Sequence, residues 1–182
     1  PIQEAWREQK RACGDEPAPL PLPPVQLEID CAGFAPDYFV WGGLNYVSAR
    51  LRAIIDLPDG FVEYLAVDAR KSRPEVIAQD YRIMNPLMTR SLVDLERTAH
   101  EVLETVRMDV STETVVVLTP EHREYWREGF VPDVPLFRMR YRGRIVADDA
   151  IATGVLEAGV TDVVFRDYVC DEAQTAIALK RL

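Results

Sequence analysis

The sequence predicts an α+β fold: a mixed, mostly antiparallel sheet with a few short helices, preceded by a proline-rich N-terminal arm. Three observations carry that prediction. Residues Leu136–Val169 read as strand, helix and strand in succession. Thr114–Leu118 contains a run of valines, side chains that fit a pleated sheet better than a helix. The helical stretches are short, each bounded by a capping residue and a glycine, so strands outnumber helices.

In chain order, Ile2, Ala5, Trp6 and Cys13 stand near helical spacing and predict a short amphipathic helix. Pro17, Pro19, Pro21, Pro23 and Pro24 exclude helix and central strand from the next segment, which reads as an extended connector. Residues 1–24 therefore form an arm, and 25–182 a single α+β domain. Val25, Leu27 and Ile29 alternate with polar residues and predict a strand. Phe34, Tyr38, Phe39, Trp41 and Tyr46 crowd around Gly42-Gly43, a pattern of core aromatics about a glycine turn or of a ligand pocket. Ser48 caps a helix whose apolar face is Leu51, Ile54 and Ile55, and Gly60 leads into a strand over Phe61–Leu65.

Asp80–Asn85 reads as a strand broken by Pro86; Leu92–Val110 fits helix or strand and is read as strand from Glu101 onward, and Thr114–Leu118 is a strand in its own right. Thr119-Pro120 starts a short helix through Arg127 that Gly129 ends. Phe137, Met139 and Tyr141 then alternate with arginines, the period-two signature of a half-buried strand. Ile145 and Val146 lead to a cap at Asp148 or Asp149, a helix with Ile151, Val155 and Leu156 on one face, a C-terminal glycine at Gly159, and a strand at Val163–Phe165. Twelve residues separate Ser48 from Gly60 and eleven separate Asp148 from Gly159, an echo of cap, helix, glycine and strand within one chain. Asp171–Leu182 begins acidic and ends in Lys180-Arg181, which favours a terminal helix by dipole logic.

Bulk properties narrow the function classes. The 182 residues are 48% hydrophobic and 28% charged, as in a soluble domain with a sizeable core. No apolar run approaches the roughly 20 residues of a membrane helix, and no hydrophobic signal core opens the chain. A net charge of −9 opposes binding to a phosphate backbone and suits a basic protein partner. Cys13, Cys31 and Cys170 are too few and too scattered for a disulfide framework or a structural zinc site, and reduced thiols in the cytoplasm are expected.

Signatures of nucleotide binding and hydrolysis are missing: no GxxxxGK[ST], GxGxxG, GxSxG or HExxH occurs. His122 lies among Glu121, Glu124 and Glu128, where a charged helix surface explains it as well as acid–base chemistry does. His100 has no Ser or Cys partner nearby in sequence. Asp148 and Asp149 are neighbours about 100° apart on a helix, so they converge poorly on one atom and serve better as caps. No catalytic residue, metal ligand or cofactor is predicted. If Leu136–Arg144 were one strand, Arg138, Arg140, Arg142 and Arg144 would project from one face as an anion-binding ladder. The alternative for that ladder is cross-strand pairing with an acid such as Glu63 or Asp162.

The segments Val47–Leu51 (VSARL), Glu63–Asp68 (EYLAVD), Tyr81–Arg97 (YRIMNPLMTRSLVDLER) and Leu136–Phe165 together resemble immunity family eleven of bacterial polymorphic-toxin systems. The likeness spans about Tyr38–Phe165 and rests on Leu136-Phe137-Arg138, on Ile145-Val146 with Asp148, on Ile151, Gly159 and Phe165, and on Val93-Asp94-Leu95-Glu96. Ala147-Asp148-Asp149 departs from the family's serine-containing cap. The resemblance implies a non-enzymatic cytoplasmic antitoxin that binds a cognate toxin domain and needs neither membrane nor nucleic acid. The acids that would face a basic cleft are Asp56, Asp59, Glu63, Asp68, Asp94, Glu96 and Asp109. A rival reading is a regulatory domain that takes a small ligand or nucleotide on the Arg138–Arg144 segment.

Overall fold

The computed structural model describes residues 24–106, 112–118, 125, 127, 129–131, 133–140, 144–160, 162–163, 165–167 and 179–181. Its strands are β1 (Val25–Gln26), β2 (Tyr38–Trp41), β3 (Leu44–Val47), β4 (Val62–Asp68), β5 (Arg82–Pro86), β6 (Thr89–Arg90), β7 (His100–Val106), β8 (Thr112–Leu118), β9 (Leu136–Met139), β10 (Ile145–Asp148), β11 (Arg166–Asp167) and β12 (Leu179–Arg181). Among the described residues three helices interrupt them: α1 (Ala49–Ile55), α2 (Pro74–Ala78) and α3 (Asp149–Glu157). The fold is α+β, and the strands divide into two five-stranded sheets, ordered β1-β4-β5-β3-β2 and β11-β12-β10-β9-β6, and a separate β7-β8 ribbon. Only β1–β4 and β6–β9 pair in parallel; every other ladder is antiparallel.

One apolar cluster joins the two sheets. Val47, Leu51, Ile55, Val62 and Met84 come from the first sheet and α1; Leu136, Ile145, Ala147, Ile151 and Val155 come from the second sheet and α3. A second cluster, with Val25, Leu44, Tyr46, Leu65, Tyr81 and Ile83, covers the opposite face of the first sheet. The first sheet thus carries an apolar cluster on each face. A third, around Leu92, Phe137, Met139 and Val146, lies on the far face of the second.

The two helices that pack together, α1 and α3, begin alike. Ser48 Oγ accepts the Leu51 amide at 3.1 Å and Asp148 Oδ1 accepts the Ile151 amide at 2.9 Å, each satisfying an otherwise orphaned donor. One helix leaves β3 and the other leaves β10, so the paired caps seen in the sequence serve one helix from each sheet. Gly159 follows α3 at φ +67°, the left-handed position a helix-ending glycine takes.

Several expectations need correction. Leu156 is 51% exposed, because Val155 already faces the core and the next residue turns about 100° away. Val163 and Phe165 pack in the central cluster without joining a ladder; the strand forms at Arg166–Asp167 instead. Leu179–Arg181 is a strand, not the end of a helix: it sits between β10 and β11 and supplies main-chain partners to both. Pro86 does not break β5 but ends it, since the register with β3 stops at Ile83 and leaves Pro86 facing only β4. The predicted strand at Phe61–Leu65 runs later, to Asp68. The helix expected over residues 120–127 lies mostly outside the described residues, as do the helix and connector of residues 1–23, and Cys13, Cys170 and His122.

Candidate functional site

The arginine ladder is dismantled by the chain's own turn. Strand β9 stops at Met139, whose amide donates to the Arg144 carbonyl at 2.7 Å as the chain doubles back into β10. Arg138, Arg140 and Arg144 therefore do not share one face of one strand, and Arg142 lies outside the described residues. Arg138 is the surprise: only 4% exposed, it donates from Nη2 to Asn85 Oδ1 at 2.9 Å. Asn85, fully buried, donates in turn from Nδ2 to Glu63 Oε2 at 3.0 Å. Glu63 and Asn85 stand opposite each other on β4 and β5, so a charged group from the second sheet is answered, through an amide, by a carboxylate on the first. A buried guanidinium, which can only donate, needs such acceptors to offset its lost hydration. Glu63 thus has a hydrogen-bonding role within the fold.

The remaining acids scatter. Asp56 closes α1 at φ +28° and Asp59 follows in the turn before β4; both are exposed. Asp68 lies five residues beyond Glu63 on β4, about 17 Å along the strand. It is held by Arg70 at 2.8 and 2.7 Å and by Gln26 at 2.9 Å. The Arg70 guanidinium keeps its carboxyl well below the usual carboxylate range, with Gln26 assisting. Asp94 is occupied locally: Oδ1 accepts the Glu96 and Arg97 amides at 2.9 and 3.3 Å, an Asx turn. Glu96 is exposed beside it, and Asp109 lies outside the described residues. Asp56 and Asp59 are the predicted acids that sit together and reach solvent.

A polar joint unmarked by any sequence motif centres on Asp37, 8% exposed. Its carboxylate accepts from Ser48 Oγ at 2.6 Å and from Arg50 at 3.0 Å, while its amide donates to Asp162 Oδ2 at 3.2 Å. Arg50 also donates to the Ala158 carbonyl, tying α1 to the end of α3. Tyr81 donates to the Pro36 carbonyl at 2.6 Å, and burial, with Asp37 and Asp162 nearby, pushes its phenol up to about 12. Ser48 spends its one proton on Asp37 and its lone pair on the helix, and is fully buried, so it is a cap and no nucleophile. His100 Nδ1 lies 2.9 Å from the Thr98 carbonyl, which can only accept, so that nitrogen carries the proton. Among the described residues no group of three or more His, Cys, Asp or Glu side chains is placed to hold a metal, and no helix is long and apolar enough to cross a membrane.

The aromatic cluster is real but loses a member. Phe39 stacks on Tyr46 at 4.7 Å and meets Phe34 and Tyr81 edge-on at 5.3 and 5.1 Å, filling the space a ligand would need. Trp41 stands apart, 71% exposed, beside Val40 at 55%. The composition of Tyr38–Trp41 predicts burial throughout; only the position of β2 at the sheet's outer edge exposes its end.

No family model and no curated protein matches this chain. The described residues form a sheet-rich α+β fold with buried polar joints at Arg138–Asn85 and Asp37–Ser48 and with Val40 and Trp41 exposed at the β2 edge.

Proposed function

We propose that this chain is an immunity protein, a cytoplasmic antitoxin that neutralises a cognate secreted toxin domain by stoichiometric binding, without catalysis or cofactor. The observation that carries this reading is the net charge of −9 on a domain in which several arginines are already paired within the chain, buried at Arg138–Asn85 and at the surface at Arg50–Asp37 and Arg70–Asp68. An acidic surface speeds encounter with a basic partner and competes for a cleft built to hold phosphates. Asp56 and Asp59, three residues apart and both exposed on the α1–β4 connection, are the acids best placed to enter such a cleft. The segments that resemble immunity family eleven support the same reading. The small-ligand alternative loses its basis, since the arginine segment turns back on itself and Arg138 points inward.

The test is co-expression with the C-terminal domain encoded by the neighbouring reading frame. Cells that die on producing that domain alone survive when this chain is present, and the two proteins co-purify one to one. Turnover of a substrate by the purified chain, or death despite its expression, would overturn the reading.

A further inference from the structure

The β2–β3 hairpin turns through Gly42 and Gly43, both at positive φ (58° and 80°), with Trp41 opposite Leu44 at its tip. Two positive-φ residues form the tight connection that suits the natural twist of a hairpin, so the tip is a defined geometry. Among the described strands β2 pairs only with β3, and no described strand takes up the main-chain groups on its other side. Sheet edges are normally blunted by lysine, proline or a bulge. Here the edge reads Tyr-Phe-Val-Trp in unbroken register and carries none of these. Its first half is anchored on both faces, Tyr38 in the central cluster and Phe39 in the outer one. Its second half offers Val40 and Trp41 to solvent on opposite faces of the strand.

We propose that this edge is the docking strand for the toxin domain: an extended, basic-flanked segment of the toxin pairs its main chain with β2 and packs apolar side chains on Val40 and Trp41. The proposal rests on the antitoxin reading and adds the surface. The chemistry of the occupant follows from the edge, because a row of strand amides and carbonyls is matched best by another strand, and alternate side chains supply specificity. A second copy of this chain is the wrong occupant, because two bodies of charge −9 repel, whereas a basic segment is attracted. The four-residue edge is small against the roughly 800 Å² per partner of a stable interface. It serves as the anchor of a larger contact, and an exposed tryptophan is the residue type that anchors most often.

The experiment uses the full chain and the neighbouring frame's C-terminal domain. Binding and growth protection are measured for wild type, Val40→Lys, Trp41→Ala and, as a control at an exposed apolar site off the sheet, Val131→Ala. Trp41→Ala is expected to weaken binding about 30-fold or more. Val40→Lys, which adds the charge that blunts natural edges, loses protection; Val131→Ala behaves as wild type; and all three melt with the parent. Hydrogen exchange on the wild-type complex reads the same contact without substitution, with the amides of Tyr38–Trp41 slowing on binding. If wild type protects while both edge variants bind within about threefold of it, or those amides do not slow, the docking strand is wrong and the antitoxin reading stands. If wild type neither binds nor protects, the antitoxin reading fails and the docking proposal falls with it. Concentration-dependent dimers that Val40→Lys abolishes would assign the edge to self-association and overturn the proposal.

Discussion

Arg138 shows what a single residue does when tertiary structure disagrees with pattern. Alternation with Phe137 and Met139 predicts a solvent-facing side chain, yet all four positions of β9 are buried because both faces of the second sheet are covered there. The guanidinium is retained through Asn85, which relays it to Glu63. Arg138→Met should therefore lose about 2–3 kcal/mol in urea unfolding, the range for a buried hydrogen bond to a charged group. In a double-mutant cycle with Asn85→Leu the two changes should fail to add by about 1 kcal/mol, and strict additivity would show that the pair is uncoupled. Asp68 makes the opposite case: pattern and charge mark it as a partner-facing acid, and Arg70 with Gln26 already satisfy it.

At the scale of elements, the α1–α3 contact is where the two sheets are tied. Ser48 and Asp148 start the two helices, and Ser48 also holds Asp37. Ser48→Ala should cost about 2 kcal/mol, a cap together with a buried hydroxyl partner, and Asp148→Ala about 1 kcal/mol. Comparable losses at both sites would show that Asp37 gains nothing from the Ser48 hydroxyl. Gly154 sits inside α3 facing α1, and a methyl group there would meet Ile54 Cγ2 at 3.8 Å, ordinary contact. Since glycine in a helix interior is disfavoured by about 0.5–1 kcal/mol relative to alanine, Gly154→Ala should raise the midpoint of unfolding. A lowered midpoint would mean that the helices cannot accept even that contact. The caps and the glycine after α3 are legible from sequence because they satisfy the helix's own backbone. The short α2 and the two-residue strands are not, because so few residues carry no period.

For the whole molecule, three tyrosines report on cohesion. Burial pushes Tyr38 and Tyr64 up to about 12, the latter with opposing influences from Arg52 and Asp56, and Tyr81 likewise. In the unfolded chain a phenol titrates near 10, so between about pH 10 and 12 the unfolded state binds fewer protons than the native one. Stability present below pH 10 is then lost as pH rises through that window. Absorbance of phenolate should show these three ionising together with loss of the near-ultraviolet circular dichroism. Ionisation at pH 10 with native dichroism intact would contradict their burial. The acidic exterior and the β2 edge belong to this scale as well, for they matter only as surfaces presented by an assembled body.

Local chemistry determined the α+β class, the starts of α1 and α3, the glycine turn at Gly42-Gly43 and the strands around Val62, Ile83, Val116 and Phe137, since each depends on side-chain period or on groups a few residues apart. Only the tertiary structure decided that Arg138 is interior, that Asp37 joins Ser48, Arg50 and Asp162, that Leu179–Arg181 is a sheet strand and that Trp41 is left outside. Those outcomes depend on which strand lies beside which, and pairing between segments distant in sequence is set by the joint burial of two sheets and two helices, a quantity no local window contains.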